Sequence, residues 1–112
     1  LIRQASSADV ALLLGAANDL YPAFDPYHAR ASIPRAVENG LTLLRVADHG
    51  LSLAVDPWGR PLGELDYYET AGARRLTLEL PVRRTTTLYG VVGDLLGWLS
   101  LAGLALLAIK GE

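Results

Sequence analysis

The chain has 112 residues, 51% of them apolar and 20% charged, with a net charge of −2 from 10 basic and 12 acidic side chains. That length holds one domain or part of one, and the balance is that of a packed chain rather than a disordered one. The near-neutral charge excludes a basic nucleic-acid surface, and the absence of Cys excludes disulfides, thiolate metal sites and a cysteine nucleophile within these residues.

There is no Met, and Leu1-Ile2-Arg3-Gln4 has the pattern of mid-helix, so the sequence reads as a fragment of a longer protein. Residues 1–8 are predicted to end an amphipathic helix. Val10-Ala11-Leu12-Leu13-Leu14 is a continuous apolar run, the pattern of a buried strand, and Gly15 to Asp19 is predicted to turn. Pro22 and Pro26 mark the next stretch as loop. Asp25 is a suitable N-cap with Pro26 at the first helical position. Ala29, Ile33, Ala36, Val37 and Gly40 then share one helical stripe, closed by Asn39-Gly40. Pro34 should kink or break that helix, at about 3 kcal/mol if unrelieved.

Leu41 to Val46 and Leu51 to Val55 read as strands joined by a turn at Ala47-Asp48-His49-Gly50. Asp56-Pro57-Trp58-Gly59 fits a tight turn with Pro at its second position, and Leu62 to Tyr68 a return strand. Arg75 to Leu80 alternates cleanly and is predicted to be a half-exposed strand, ended by Pro81. Leu88 to Ile109 carries one charge, Asp94. As one helix it would reach roughly 33 Å, enough to cross a bilayer core. Tyr89 and Trp98 fit interfacial anchors, Gly93 and Gly97 a close helix-packing pair, and Asp94 an interfacial acid near Arg83 or Arg84.

Asn18-Asp19, then His28, then Arg35-Ala36-Val37-Glu38-Asn39-Gly40, then Arg45, Gly50 and Asp56-Pro57-Trp58-Gly59 resemble, as an ordered set, the nitrilase (carbon–nitrogen hydrolase) superfamily. Within it the pattern is similar to the bacterial apolipoprotein N-acyltransferases, in which a Tyr and a Gly-Asp pair precede a membrane helix; here these are Tyr89 and Gly93-Asp94. The resemblance implies an α/β fold: residues 1–82 as the C-terminal part of a nitrilase-like αββα sandwich, 83–87 as a linker and 88–109 as one transmembrane helix. It implies a Glu–Lys–Cys triad working by a base-activated thiolate and a cation at the developing oxyanion. No member of that triad is assigned in this chain, because the resemblance places all three before the Asn18-Asp19 turn. Three departures stand out: Tyr21 falls near where the family has a pocket-lining Trp, Asp48 where it has an Asn, and Pro34 is unusual for the helix.

The expected pocket-lining residues are Asn18, Asp19 and Tyr21, at the C-terminal end of a strand, where α/β sites gather. Their alternative role is turn formation. His28, Arg35, Glu38 and Arg45 are expected to support the site. Arg35 and Glu38 are spaced to pair on one helix face and are expected to brace the sheet, with His28 near Arg35. His28 and His49 lack metal-ligand spacing, and neither a metal nor a cofactor is expected. The function implied is acyl transfer from a phospholipid donor to the N-terminal amine of a lipoprotein through a Cys thioester. Its place would be the bacterial inner membrane, with the folded domain on the periplasmic side. A membrane-tethered amidase or nitrilase, and a non-catalytic membrane-anchored binding module, are the alternatives.

Overall fold

The structure, a computed structural model, describes residues 10–19, 21–72 and 74–110. The helix end predicted for residues 1–8 lies outside them. Six elements make the folded body: β1 (Leu12–Ala17), α1 (Asp25–Arg30), α2 (Ile33–Asn39), β2 (Thr42–Ala47), β3 (Leu51–Val55) and β4 (Pro61–Asp66). The sheet runs in the order β1-β2-β3-β4. β1 and β2 are parallel, from Leu12 opposite Thr42 to Ala17 opposite Ala47, and the two helices form the crossover that a parallel pair requires. β2, β3 and β4 form an antiparallel meander. The mixed α/β architecture agrees with the expected fold class.

The core lies between the helices and one sheet face. Ala29 and Ala36 press against Leu43, Leu51, Leu53 and Val55, with Leu13 and Ile33 at the margin. The small alanines let the helices approach closely. Leu53 and Val55 are each 1% exposed, which is worth about 1.5–3 kcal/mol per side chain. The opposite face stays open. Leu14 and Val46 point that way and are exposed, and a groove of about 800 Å³ separates the face from residues 74–80.

The predicted helix break is present. α1 stops at Arg30, and α2 restarts at Ile33 with Pro34 in its first turn, where a missing N–H leaves no bond unmade. Gly40 closes α2 in the left-handed conformation, φ 64°. The Asp56–Gly59 turn is held by Asp56, whose Oδ1 accepts from the backbone of Trp58 and Arg60, each at 2.9 Å.

Four expectations are corrected. β1 starts later than the apolar run and continues through Gly15-Ala16-Ala17, because its ladder with β2 extends to Ala47. As an edge strand it is half-buried rather than enclosed. Asp25 is not the N-cap: Phe24 holds that position without a side-chain bond, and Asp25 is buried within the first turn. Residues 75–80 are extended but join no ladder among the described residues.

The last correction concerns the tail. Instead of one helix from 88 to 109 there are two, α3 (Leu88–Val92) and α4 (Leu95–Lys110). Gly93, at φ 60° and ψ −135°, breaks the helical path, so Gly93 and Gly97 do not share a helix. Tyr89 donates its hydroxyl to Asp94 Oδ1 at 3.0 Å across the break. No helix among the described residues is long and apolar enough to cross a membrane. α4 has 16 residues, none of them buried, and its length of about 24 Å falls short of a hydrocarbon core.

Candidate functional site

The parallel strands β1 and β2 end side by side, and the chain beyond each is stitched to the other. Asp48 N–H donates to Ala17 O at 3.0 Å and Asp19 N–H to His49 O at 2.9 Å. This fixes Asp19 at the carboxyl end of the sheet, the usual place for an α/β site. Arg45 comes from β2 and points to the helix side. Its Nη2 donates to Asp19 Oδ2 and its Nη1 to Leu51 O at 2.7 Å. His28, on α1, meets Asp19 Oδ1 through Nδ1 at 2.6 Å. The Tyr68 hydroxyl donates to the Asp19 carbonyl at 3.2 Å. Asp19 therefore ties β1, α1, β2 and the end of β4 together.

Both partners of the Asp19–Arg45 pair are 7% exposed, whereas the His28 side chain is 70% exposed. A cleft of about 270 Å³ opens beside them, lined by Asn18, Asp19, Tyr21, Phe24, Asp25 and His28. Tyr21 and Phe24 are each 72% exposed and form its apolar rim.

Asp25 is the unusual member. It is 1% exposed, and its two carboxyl oxygens have no hydrogen-bond partner among the described residues. They lie against Gly50, at φ 129°, where any Cβ would overlap them. Burial, with the Asp19 carboxylate adding to it, raises Asp25 above the ordinary 3.8; the nearby Leu51 backbone offsets only part of this. Burial would also push Asp19 up, but the bonds from Arg45 and His28 outweigh it and hold Asp19 below its ordinary value. A proton on Asp25 supplies a donor that two facing carboxylates otherwise lack.

The stability consequence has a definite sign. A carboxyl whose folded-state pKa is raised stabilises the fold fully below about 3.8 and loses that contribution as pH climbs through the folded-state value. Asp19 acts oppositely, losing its contribution as pH falls below about 3.8. Asp25→Asn, which supplies an N–H donor and removes the charge, is expected to be more stable than the native chain by about 1–3 kcal/mol at pH 7. The difference should shrink toward pH 4. Urea midpoints of the two proteins across that range check this, and a constant difference would overturn it.

Asn18, Asp19, Tyr21 and His28 thus fall together at one cleft, with Arg45 behind Asp19. Arg35 and Glu38 do not join them. They pair with each other at 3.1 Å on the outer face of α2, with side chains 63% and 36% exposed. Such a pair contributes little stability and does not brace the sheet. His28 turns to Asp19 rather than to Arg35, and His49 lies tilted against Tyr67 with ring centroids 4.5 Å apart. Phe24, Asp25 and Tyr68 are site residues that sequence reasoning passed over. The Tyr67-Tyr68 pair at a strand end was the available signal for the last. Among the described residues no group of three or more His, Asp or Glu is arranged to hold a metal ion. With Asp19 committed to an ion pair with Arg45, the cluster can shape and orient a pocket wall.

No protein-family model matches the chain. Three curated proteins do, each named apolipoprotein N-acyltransferase. The chain is 36% identical to that of Rickettsia prowazekii over 88 residues, 73% of the chain and 16% of the relative. It is 39% identical to that of Rickettsia typhi over 75 residues, 62% of the chain and 14% of the relative. The match to Rickettsia bellii is 51% identical over 45 residues, 39% of the chain and 9% of the relative. The chain thus spans about a sixth or less of the length of these relatives. Among solved structures, an amidase variant from Nesterenkonia sp. AN1, with an acetamide moiety on its active-site cysteine, matches at 32% identity and TM-score 0.44. That match covers 58% of this chain and 28% of the amidase. By sequence, the chain is a relative of proteins named apolipoprotein N-acyltransferase.

Proposed function

We propose that residues 1–82 are the C-terminal part of a nitrilase-like αββα domain in a membrane-anchored N-acyltransferase. The reaction is transfer of an acyl group from a phospholipid to the N-terminal amine of a lipoprotein, through a thioester on a Cys outside this chain. The reading rests on one observation: relatives of that name match up to 73% of the chain. The cleft is consistent with it. Asp19, Arg45 and His28 hold one wall of a pocket, Tyr21 and Phe24 give it an apolar lip, and the reacting groups come from elsewhere in the protein. α4, apolar on every face and buried nowhere, is the lipid contact, joined to the domain by residues 83–87 and by α3. The domain would lie on the periplasmic side of the bacterial inner membrane.

A chimera tests this. In the Rickettsia prowazekii enzyme, the 88 matched residues are replaced by those of this chain. The chimera should still acylate a lipoprotein amine, read by mass spectrometry as loss of the free amine, within about tenfold of its parent. The 112 residues alone should transfer nothing. A chimera that reaches the membrane at parental level yet acylates no amine would overturn the proposal, as would turnover by the chain alone.

A further inference from the structure

The extended segment after β4 carries a pattern that the fold leaves unused. Leu76, Leu78 and Leu80 line the groove over the open sheet face, and Leu78 lies so close to Gly63 of β4 that a Cβ there would come within 2.6 Å of it. Arg75, Thr77 and Glu79 alternate with them and are exposed. The backbone of residues 75–80 makes no hydrogen bond to another backbone group among the described residues. This is a strand in conformation and in side-chain order, with a free ladder edge.

We propose that residues 75–79 pair antiparallel with the same residues of a second copy of the chain, about a two-fold axis at Thr77. The charge pattern selects the partner and the register. Centred on Thr77, each Arg75 faces the Glu79 of the other copy, giving two opposite-charge cross-strand pairs. Moved by two residues in either direction, the two-fold falls at Arg75 or at Glu79 and sets like charges face to face. Centred on a leucine, the pairing would put Arg75 and Glu79 beyond direct opposition. In the chosen register Leu76 faces Leu78 of the other copy over both grooves. The row that covers the sheet then continues across the axis, and the interface is isologous, as a two-fold requires.

The absence of Cys makes the test clean. Thr77→Cys places two thiols directly opposite each other. Under mild oxidation of the full chain in detergent micelles, it should form disulfide dimers about tenfold faster than Val82→Cys, at a 70% exposed site outside the strand. Arg75→Glu and Glu79→Arg should each weaken the dimer about tenfold by sedimentation equilibrium, and the double exchange should restore it. Restoration separates pairing from association of α4 in the micelle, which charges at 75 and 79 do not touch. A monomer at all accessible concentrations, equal cross-linking at 77 and 82, or a double exchange as weak as the single changes would each overturn the proposal. Capture of a different strand in place of a second copy would appear as the first of these, a chain that stays monomeric on its own.

Discussion

Arg45→Ala is expected to lower folding stability by about 3–5 kcal/mol, the largest single effect in this chain. The reason is what the change leaves behind. Asp19 is 7% exposed and would keep its charge with only the His28 ring for support. The Leu51 carbonyl would lose its side-chain donor as well. Arg45→Lys should recover less than half of the loss, because an ammonium group cannot reach Asp19 and Leu51 with the fixed fork of a guanidinium. The decisive comparison is a double-mutant cycle. Asp19→Asn in the Arg45→Ala background removes the stranded charge and should return about 1–3 kcal/mol. Urea denaturation in detergent, followed by tryptophan fluorescence, measures all four proteins. A loss below about 1 kcal/mol for Arg45→Ala would mean that the pair behaves like a surface ion pair.

Gly40→Ala should be nearly as severe. At φ 64° a non-glycine residue costs about 1 kcal/mol, and the new Cβ would overlap the Thr85 carbonyl oxygen, a backbone atom that cannot swing aside. Overpacking of this kind adds about 1–3 kcal/mol. The injury has a defined location. Thr85 N–H donates to Gly40 O at 3.0 Å, and the Thr87 hydroxyl donates to the Glu38 carbonyl. These contacts latch the segment before α3 to the end of α2. Gly40→Ala should therefore release residues 85–87 first. Amide hydrogen exchange should show faster exchange at Thr85 N–H while the β2 and β3 amides stay protected. Unchanged exchange at Thr85 would refute the latch.

Much of this was legible in residues alone, for local reasons. Gly40 follows a helical stripe, Asp56-Pro57-Trp58-Gly59 is turn chemistry, and Pro34 cannot sit deep in a helix. Each signal acts within a few residues of its cause. Asp19, His28 and Arg45 were named through an ordered resemblance, and their contact through Asp19 needed the fold. Asp25 was misread because Asp before Pro is a good helix start. Its burial against Gly50 depends on β3, which begins 26 positions later. Arg35 and Glu38 were misread because spacing shows that two side chains can meet, but not whether the face they share is inside. The break at Gly93 is a backbone choice that hydropathy does not report.

The direction of the ladders also sets the order in which the cleft can assemble. β2, β3 and β4 are joined by short turns, so the meander closes through local contacts, on the timescale of hairpins. β1 must wait for the whole crossover of α1 and α2 before its parallel register forms, and non-local pairing of this kind is slow. Asp19 arrives with β1. In that order Arg45 stands on a formed strand with its charge unmatched until β1 docks and brings Asp19 to it.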